Sequence, residues 1–227
     1  MVGEYRVGKV TIEWLGHDAF RVRGPGITVY FDPYNLRGYS PRADLILVSH
    51  EHFDHCSPGD IAGLLSEKTI VAAPRIAVKC VAKAGAPRII EAKAWTPFNA
   101  AGATVTPVPA YNVNKYRSPG RVYHPREDGR VGYVAELGGV KIYHAGDTDL
   151  IPEMGRLKDV GIDVALLPVS GVYVMTPEEA AEAARLIRPK VAIPMHYGSI
   201  VASEKEAKRF KELLSGEIDV VILERKV

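Results

Sequence analysis

The sequence predicts a layered α/β fold, and three observations carry that prediction. Short apolar runs alternate with amphipathic stretches, clearly so in the first hundred residues and again in the last third. This is the pattern of sheets with helices laid on them. Ala43 to Val48 is apolar almost without interruption, as in a strand covered on both faces. Val10, Ile12 and Trp14 alternate with polar partners, the period-2 signature of a half-buried strand.

Taken in order, strands are expected at Lys9 to Leu15, Ala19 to Arg23 and Ile27 to Phe31, with Gly24-Pro25-Gly26 as a hairpin-type breaker. Ser57-Pro58-Gly59-Asp60 opens a helix reaching to Ser66; Thr69 to Ala73 is a strand, Arg75 to Ala84 a helix and Arg88 to Ala92 a strand. The middle is richer in β structure. Ala103 to Val108 and Val131 to Leu137 read as strands, and Gly138-Gly139 turns the chain back into Val140 to His144. Alternation then resumes with a strand at Asp163 to Leu167. The helix Pro177 to Ile187 has Thr176 as N-cap and Pro177 at its first position. Val191 to Pro194 is a strand, and Ile218 to Leu223 closes the chain. Between them Ser203 to Leu214 is a charged amphipathic helix, with Glu206 three residues after its Ser203 cap. Asn112 to Arg130 fits no element; loops of that length are mostly functional or mobile.

Composition excludes several classes. Hydrophobic residues at 47% and charged residues at 25% suit a globular chain and argue against disorder. A net charge of +2 is small for a general nucleic-acid binder. No apolar run is long enough to span a bilayer, and Met1 to Arg6 lacks signal-peptide architecture. The expected location is the cytoplasm, where Cys56 and Cys80 are expected as two reduced thiols. The absence of Gln, only four Asn, and 16 Pro point to a thermophilic source.

The chemistry concentrates in one place. Of 7 His in the chain, three fall with a carboxylate within six residues, at His50, His52, Asp54 and His55. Neutral nitrogen and carboxylate oxygen together suit zinc, iron or manganese, and the lack of clustered thiolates argues against a structural cysteine site. Four ligands so close divide more naturally between two ions than they converge on one.

Ser49-His50-Glu51-His52-Phe53-Asp54-His55 resembles the signature of the metallo-β-lactamase superfamily. The resemblance covers the full length and implies an αββα four-layer sandwich, one domain over residues 1–227, with a site for one or two metals at the edge between the sheets. Tyr143-His144-Ala145-Gly146-Asp147-Thr148 is similar to the family motif whose Asp bridges both metals, which implies that role for Asp147. Pro194-Met195-His196-Tyr197-Gly198 is similar to the last family motif and implies His196 as a ligand of the second metal. The family's third histidine is missing from its usual place, where Tyr111 stands; His124, on the long loop, is expected to reach the metal instead. The implied set is His50, His52 and His124 on the first ion, Asp54, His55 and His196 on the second, and Asp147 shared. Asp32 is expected to orient a ligand histidine by accepting its hydrogen bond. His144 is expected to pack or support rather than ligate, Cys56 not to ligate, and His17 to have a pocket, supporting or structural role.

Two divalent ions, zinc or else manganese or iron, would hold a hydroxide between them for attack on a carbonyl or phosphoryl centre. Asp54 is a candidate to orient that nucleophile, and Tyr197 to donate a hydrogen bond to substrate. Lys115, Arg117, Arg121, Arg126 and Arg130 against Glu127 and Asp128 make the long loop net positive, which favours an anionic substrate such as a phosphoester. The expected partner is thus a small molecule, with neither nucleic acid nor membrane. Within the superfamily the short build looks most like the ascorbate-6-phosphate lactonase-like branch, so a small phosphoester or lactone is the expected substrate. The rival readings are a diiron redox protein of the same fold and a non-catalytic metal-binding protein whose site has decayed at Tyr111.

Overall fold

A computed structural model describes residues 1–226. Two seven-stranded sheets dominate it. The first runs β1 (Tyr5–Val7), β2 (Val10–Gly16), β3 (Ala19–Gly24), β4 (Ile27–Phe31), β5 (Leu45–Leu47), β6 (Ile70–Ala73) and β7 (Arg88–Glu91), in that spatial order. The second contains β8 (Phe98–Ala100), β9 (Ala103–Pro109), β12 (Val131–Leu137), β13 (Val140–His144), β14 (Val164–Pro168), β15 (Val191–Met195) and β16 (Asp219–Val220), in the spatial order β16-β15-β14-β13-β12-β9-β8. Between β9 and β12, β10 (Tyr116–Ser118) and β11 (Arg121–Val122) form a separate hairpin. The helices are α1 (Pro58–Leu64), α2 (Val78–Lys83), α3 (Pro177–Ile187) and α4 (Glu204–Leu213).

Side-chain alternation builds the layers. Val29 and Phe31 of β4 and Leu45 and Leu47 of β5 enter the core shared with Val105, Tyr133, Ala135 and Ile142 of the second sheet. Their neighbours Tyr30 and Ile46 point the other way, onto Ile61, Leu64 and Val81 of α1 and α2. On the far side, Ala180, Ala184 and Ile187 of α3 and Phe210 of α4 are buried with the second sheet. The result is the expected αββα sandwich.

The two sheets share a plan. β1 to β4 pair antiparallel and β4 to β7 parallel. In the second sheet β8, β9, β12 and β13 pair antiparallel, and β13 to β16 parallel. Parallel strands end at one edge, so the chain leaving each carboxyl end arrives at a common crevice. Asp32 follows β4, Ser49 and His50 follow β5, Asp147 follows β13, Ser170 follows β14, and His196 follows β15. Gly132 lets β12 pass this edge closely: a Cβ there would lie 2.5 Å from the His144 carbonyl oxygen and 2.6 Å from that of Ala145.

Most sequence-predicted elements are present within a residue or two. Thr176 and Ser203 both form capping boxes, with Glu179 and Glu206. The first turn of the helix expected from Arg75 is 3₁₀ before α2 begins. β1, β8 and the 3₁₀ segment Pro152–Asp159 are additional, and β16 is shorter than expected. The long loop is not structureless, since it holds β10, β11 and a 3₁₀ turn at Arg126–Asp128.

The expectation of reduced thiols is overturned. Cys56 and Cys80 form a disulfide, with S–S 2.01 Å and Cα atoms 6.4 Å apart. Cys80 belongs to α2 and Cys56 lies two residues before α1, and both pack in the cluster between these helices and the first sheet. The bond also removes Cys56 as a thiolate donor.

Candidate metal centre

At the crevice the histidines separate into two groups around one carboxylate. His50, His52, His124 and Asp147 bring one ligand atom each within 4.8 Å of one another, and so do His17, Asp18, His55 and His196. Asp147 faces both. Its Oδ2 lies 3.7 Å from His50 Nε2 and 3.5 Å from His124 Nε2, while its Oδ1 lies 3.2 Å from His55 Nε2 and 3.3 Å from His196 Nε2. His52 completes the first group through Nδ1, 3.1 Å from His50 Nε2 and 3.4 Å from His124 Nε2.

Hydrogen bonds on the far side of each ring set its tautomer. Ser49 Oγ donates to Asp32 Oδ2 at 2.6 Å, so His50 Nδ1–H donates to Ser49 Oγ at 2.9 Å. His55 Nδ1–H donates to Asp32 Oδ2 at 2.8 Å. Ser170 Oγ donates to the Val172 carbonyl, so His196 Nδ1–H donates to Ser170 Oγ at 2.9 Å. His124 Nδ1–H donates to Asn112 Oδ1 at 2.8 Å. Each of the four rings therefore turns a bare Nε2 lone pair inwards. Asp32, assigned from sequence as an orienting carboxylate, holds Ser49 and His55 together.

This arrangement calls for cations. Lone pairs on nitrogen facing carboxylate oxygens repel, and a buried polar group without a partner costs free energy of about 1–3 kcal/mol. His55 Nε2, His196 Nε2, Asp147 Oδ1 and both oxygens of Asp18 are buried without a hydrogen-bond partner. Burial pushes the His124 ring down to about 4 and holds His50 well below its ordinary range, so both are neutral donors. Burial also opposes charge on His55, yet Asp147, Asp32 and Asp18 raise it well above the ordinary imidazole value. The carboxylates thus demand positive charge where the bare nitrogens meet, and the donor set fits divalent metals.

The structure places other predicted residues differently. Asp18 joins the second group, where Asp54 was expected. Asp54 sits at the rim: its Oδ2 accepts from His17 Nε2 at 3.1 Å and lies 3.9 Å from His55 Nε2. Asp18 escaped the sequence reading because an acidic residue after Gly16-His17 reads as a turn. Its complete burial appears only once β2, β3 and the His55 segment pack together. His17 and His196 both adopt positive φ, 51° and 61°, and their rings lie 4.2 Å apart. These are strained conformations that aim side chains at a common point. Tyr197 stacks on Trp14 at 4.8 Å, and its hydroxyl is buried without a hydrogen-bond partner. His144 stacks on Phe31 and bonds through Nε2 to the Asp18 carbonyl. Tyr111 is buried and donates to Glu153 at 2.9 Å, while the segment after β11 delivers His124.

The long loop's positive charge is largely neutralised. Lys115 pairs with Glu179 and Asp149, Arg126 with Glu153, and Arg130 with Glu51 and Asp128. Arg117 and Arg121, on the β10–β11 hairpin, remain as its unpaired cations among the described residues.

Comparison with known proteins identifies the family. The model of the beta-lactamase superfamily domain matches residues 11–196. A metal-dependent hydrolase of Methanopyrus kandleri is 36% identical over 94% of this chain and 96% of its own. One from Thermococcus kodakarensis is 33% identical over 95% and 96%. A solved structure from Parabacteroides distasonis superposes with a TM-score of 0.81 at 32% identity, covering 98% of each chain. The family match over most of the chain, the sandwich and the two histidine groups agree: the chain belongs to the metallo-β-lactamase superfamily.

Proposed function

We infer that the protein is a metal-dependent hydrolase that cleaves an ester bond of a small molecule at a two-metal centre. The position of Asp147 carries this reading, with one oxygen turned to each group of bare imidazole nitrogens. His50, His52 and His124 would hold one divalent ion. His55 and His196 would hold the other, with a carboxylate from Asp18 or Asp54. Zinc suits these donors, and manganese and iron are the alternatives. Bound there, the ions supply Lewis-acid polarisation of the ester and activation of water near neutral pH.

The protein's own part follows from the rim. Asp54 is the carboxylate of the centre that reaches solvent. Burial opposes its ionisation, but the hydrogen bond from His17 and the neighbouring His55 outweigh it and hold the group below its ordinary value. An ionised Asp54 can accept a proton from an attacking water and orient it. His17 is the positioning residue: Ser199 Oγ donates to its Nδ1 at 3.2 Å, which leaves Nε2–H to donate to Asp54. Tyr197, Trp14 and His17 together line a cleft of about 250 Å³.

Metal content by plasma mass spectrometry, on wild type and His124→Ala prepared alike, tests the reading. Two metals per chain falling to one in the variant, with turnover of lactones or phosphoesters by the wild type, is the expected result. One metal or fewer in both proteins would overturn the two-metal assignment. Bound iron with a visible charge-transfer band and no ester turnover would favour a redox role.

A further inference from the structure

Large apolar side chains left in water are unremarkable when scattered, but a cluster around a site marks something that binds. Four such residues belong to the segments that carry the metal centre. Phe53, between His52 and Asp54, is 66% exposed; Val172 is 42%, Tyr173 37% and Ile200 43% exposed. Each is tied to the centre by a short link. Phe53 meets the edge of Tyr34 at 5.7 Å, and Tyr34 meets His17 at 6.2 Å. The Val172 carbonyl accepts from Ser170, the partner of His196. The Tyr173 carbonyl accepts from Asn112, which also holds His124, and its ring meets Tyr123 at 4.7 Å. Ile200 follows Ser199, the partner of His17. No hydrogen bond or ion pair is needed to hold these side chains out, and the nearby loop cations are mostly spent on acidic partners.

Resting on the two-metal hydrolase reading, we propose that this rim selects an ester with an apolar body, aromatic or acyl, and that Phe53, Tyr173 and Ile200 set the specificity. The scissile group descends to the metals while the apolar body lies against rings contributed by both sheets' loops. The substrate class therefore differs from the compact anion that the loop's sequence composition favours.

The test uses the zinc-loaded full chain and two probes with the same chelating head, acetohydroxamic acid and octanohydroxamic acid, titrated by calorimetry. The six added methylenes are expected to tighten binding by about tenfold or more when half buried. In the double variant Phe53→Ser/Tyr173→Ser the advantage is expected to collapse to within about twofold, by loss of that buried area. Acetohydroxamic acid should keep its affinity there, showing that the metals and the fold are intact. Equal affinities in the wild type would overturn the apolar rim while leaving the metal centre standing. So would an advantage that survives the double variant. Failure of both probes to bind the zinc-loaded protein would overturn the metal-centre reading itself, and this inference with it.

Discussion

Asn112 Oδ1 accepts two hydrogen bonds from His124, one from its main-chain N–H at 2.9 Å and one from its ring Nδ1–H at 2.8 Å. The side-chain amide of Asn112 then donates to the Tyr173 carbonyl at 2.8 Å. One residue therefore fixes the place, ring orientation and tautomer of His124, the histidine proposed as the third on the first ion. Removing such a support commonly weakens metal binding about 10–100-fold. Asn112→Ala is expected to weaken one zinc by that factor and leave the other unchanged, measured by competition with a chromophoric chelator. Two unchanged affinities would mean that His124 does not ligate.

The placement of His124 shows how far the sequence could be read. The His50 to His55 run was legible because its histidines, which the structure brings into the two groups, are packed into one strand-end turn. Asp147 and His196 were legible because each follows a recognisable strand. His124 could be named only as the nearest spare histidine, since nothing local shows that the segment after β11 brings it beside His50, His52 and Asp147. Asp18 and the Cys56–Cys80 bond are more hidden still. Both depend on contacts between segments distant in sequence, which propensity and periodicity do not encode. Likewise β1 and β8 are three-residue edge strands whose identity comes from their partners, not their residues.

The disulfide should matter for stability. Cys56 and Cys80 are separated by 24 positions, and closing a loop of that size restricts the unfolded chain by about 3 kcal/mol. For a chain of this length that corresponds to roughly 6–12 °C in Tm. Cys80→Ser is expected to melt lower by that amount and to be insensitive to reductant, whereas the wild type should fall to the variant's level when reduced. Equal melting of oxidised wild type and variant would remove the bond from the account of stability.

Acid should expose the role of Glu13. Its side chain is buried in β2 and accepts from Arg21 Nε at 2.6 Å and Arg21 Nη2 at 3.0 Å. Burial alone would raise its pKa. The Arg21 bonds, with charge from Arg21, Arg23 and Lys226, reverse this and hold it below the ordinary 4.5. A carboxyl lowered in the folded state stabilises the protein above its unfolded value and loses that contribution as pH falls through the folded value. Glu13→Gln should therefore cost stability at pH 7 and lose less than the wild type between pH 5 and pH 3, read from urea midpoints at constant salt. A wild-type acid loss equal to the variant's would show that other carboxyls carry the dependence.

Asp54 and Asp18 compete for one role, and their surroundings separate them. Asp18 is wholly buried and has no hydrogen-bond partner for either oxygen, which suits a metal ligand. Asp54 already has a donor in His17 and reaches solvent at the rim, the state of a group that meets water. Asp54→Asn keeps the shape and the contact with His17 but cannot take a proton. General-base loss of this kind commonly lowers turnover about 10²–10⁴-fold. The expected result is a protein with both metals retained and kcat reduced within that range, while Asp18→Asn loses one metal. If Asp54→Asn instead loses a metal and Asp18→Asn keeps both, Asp54 is the ligand and the proton acceptor must be sought elsewhere on the rim.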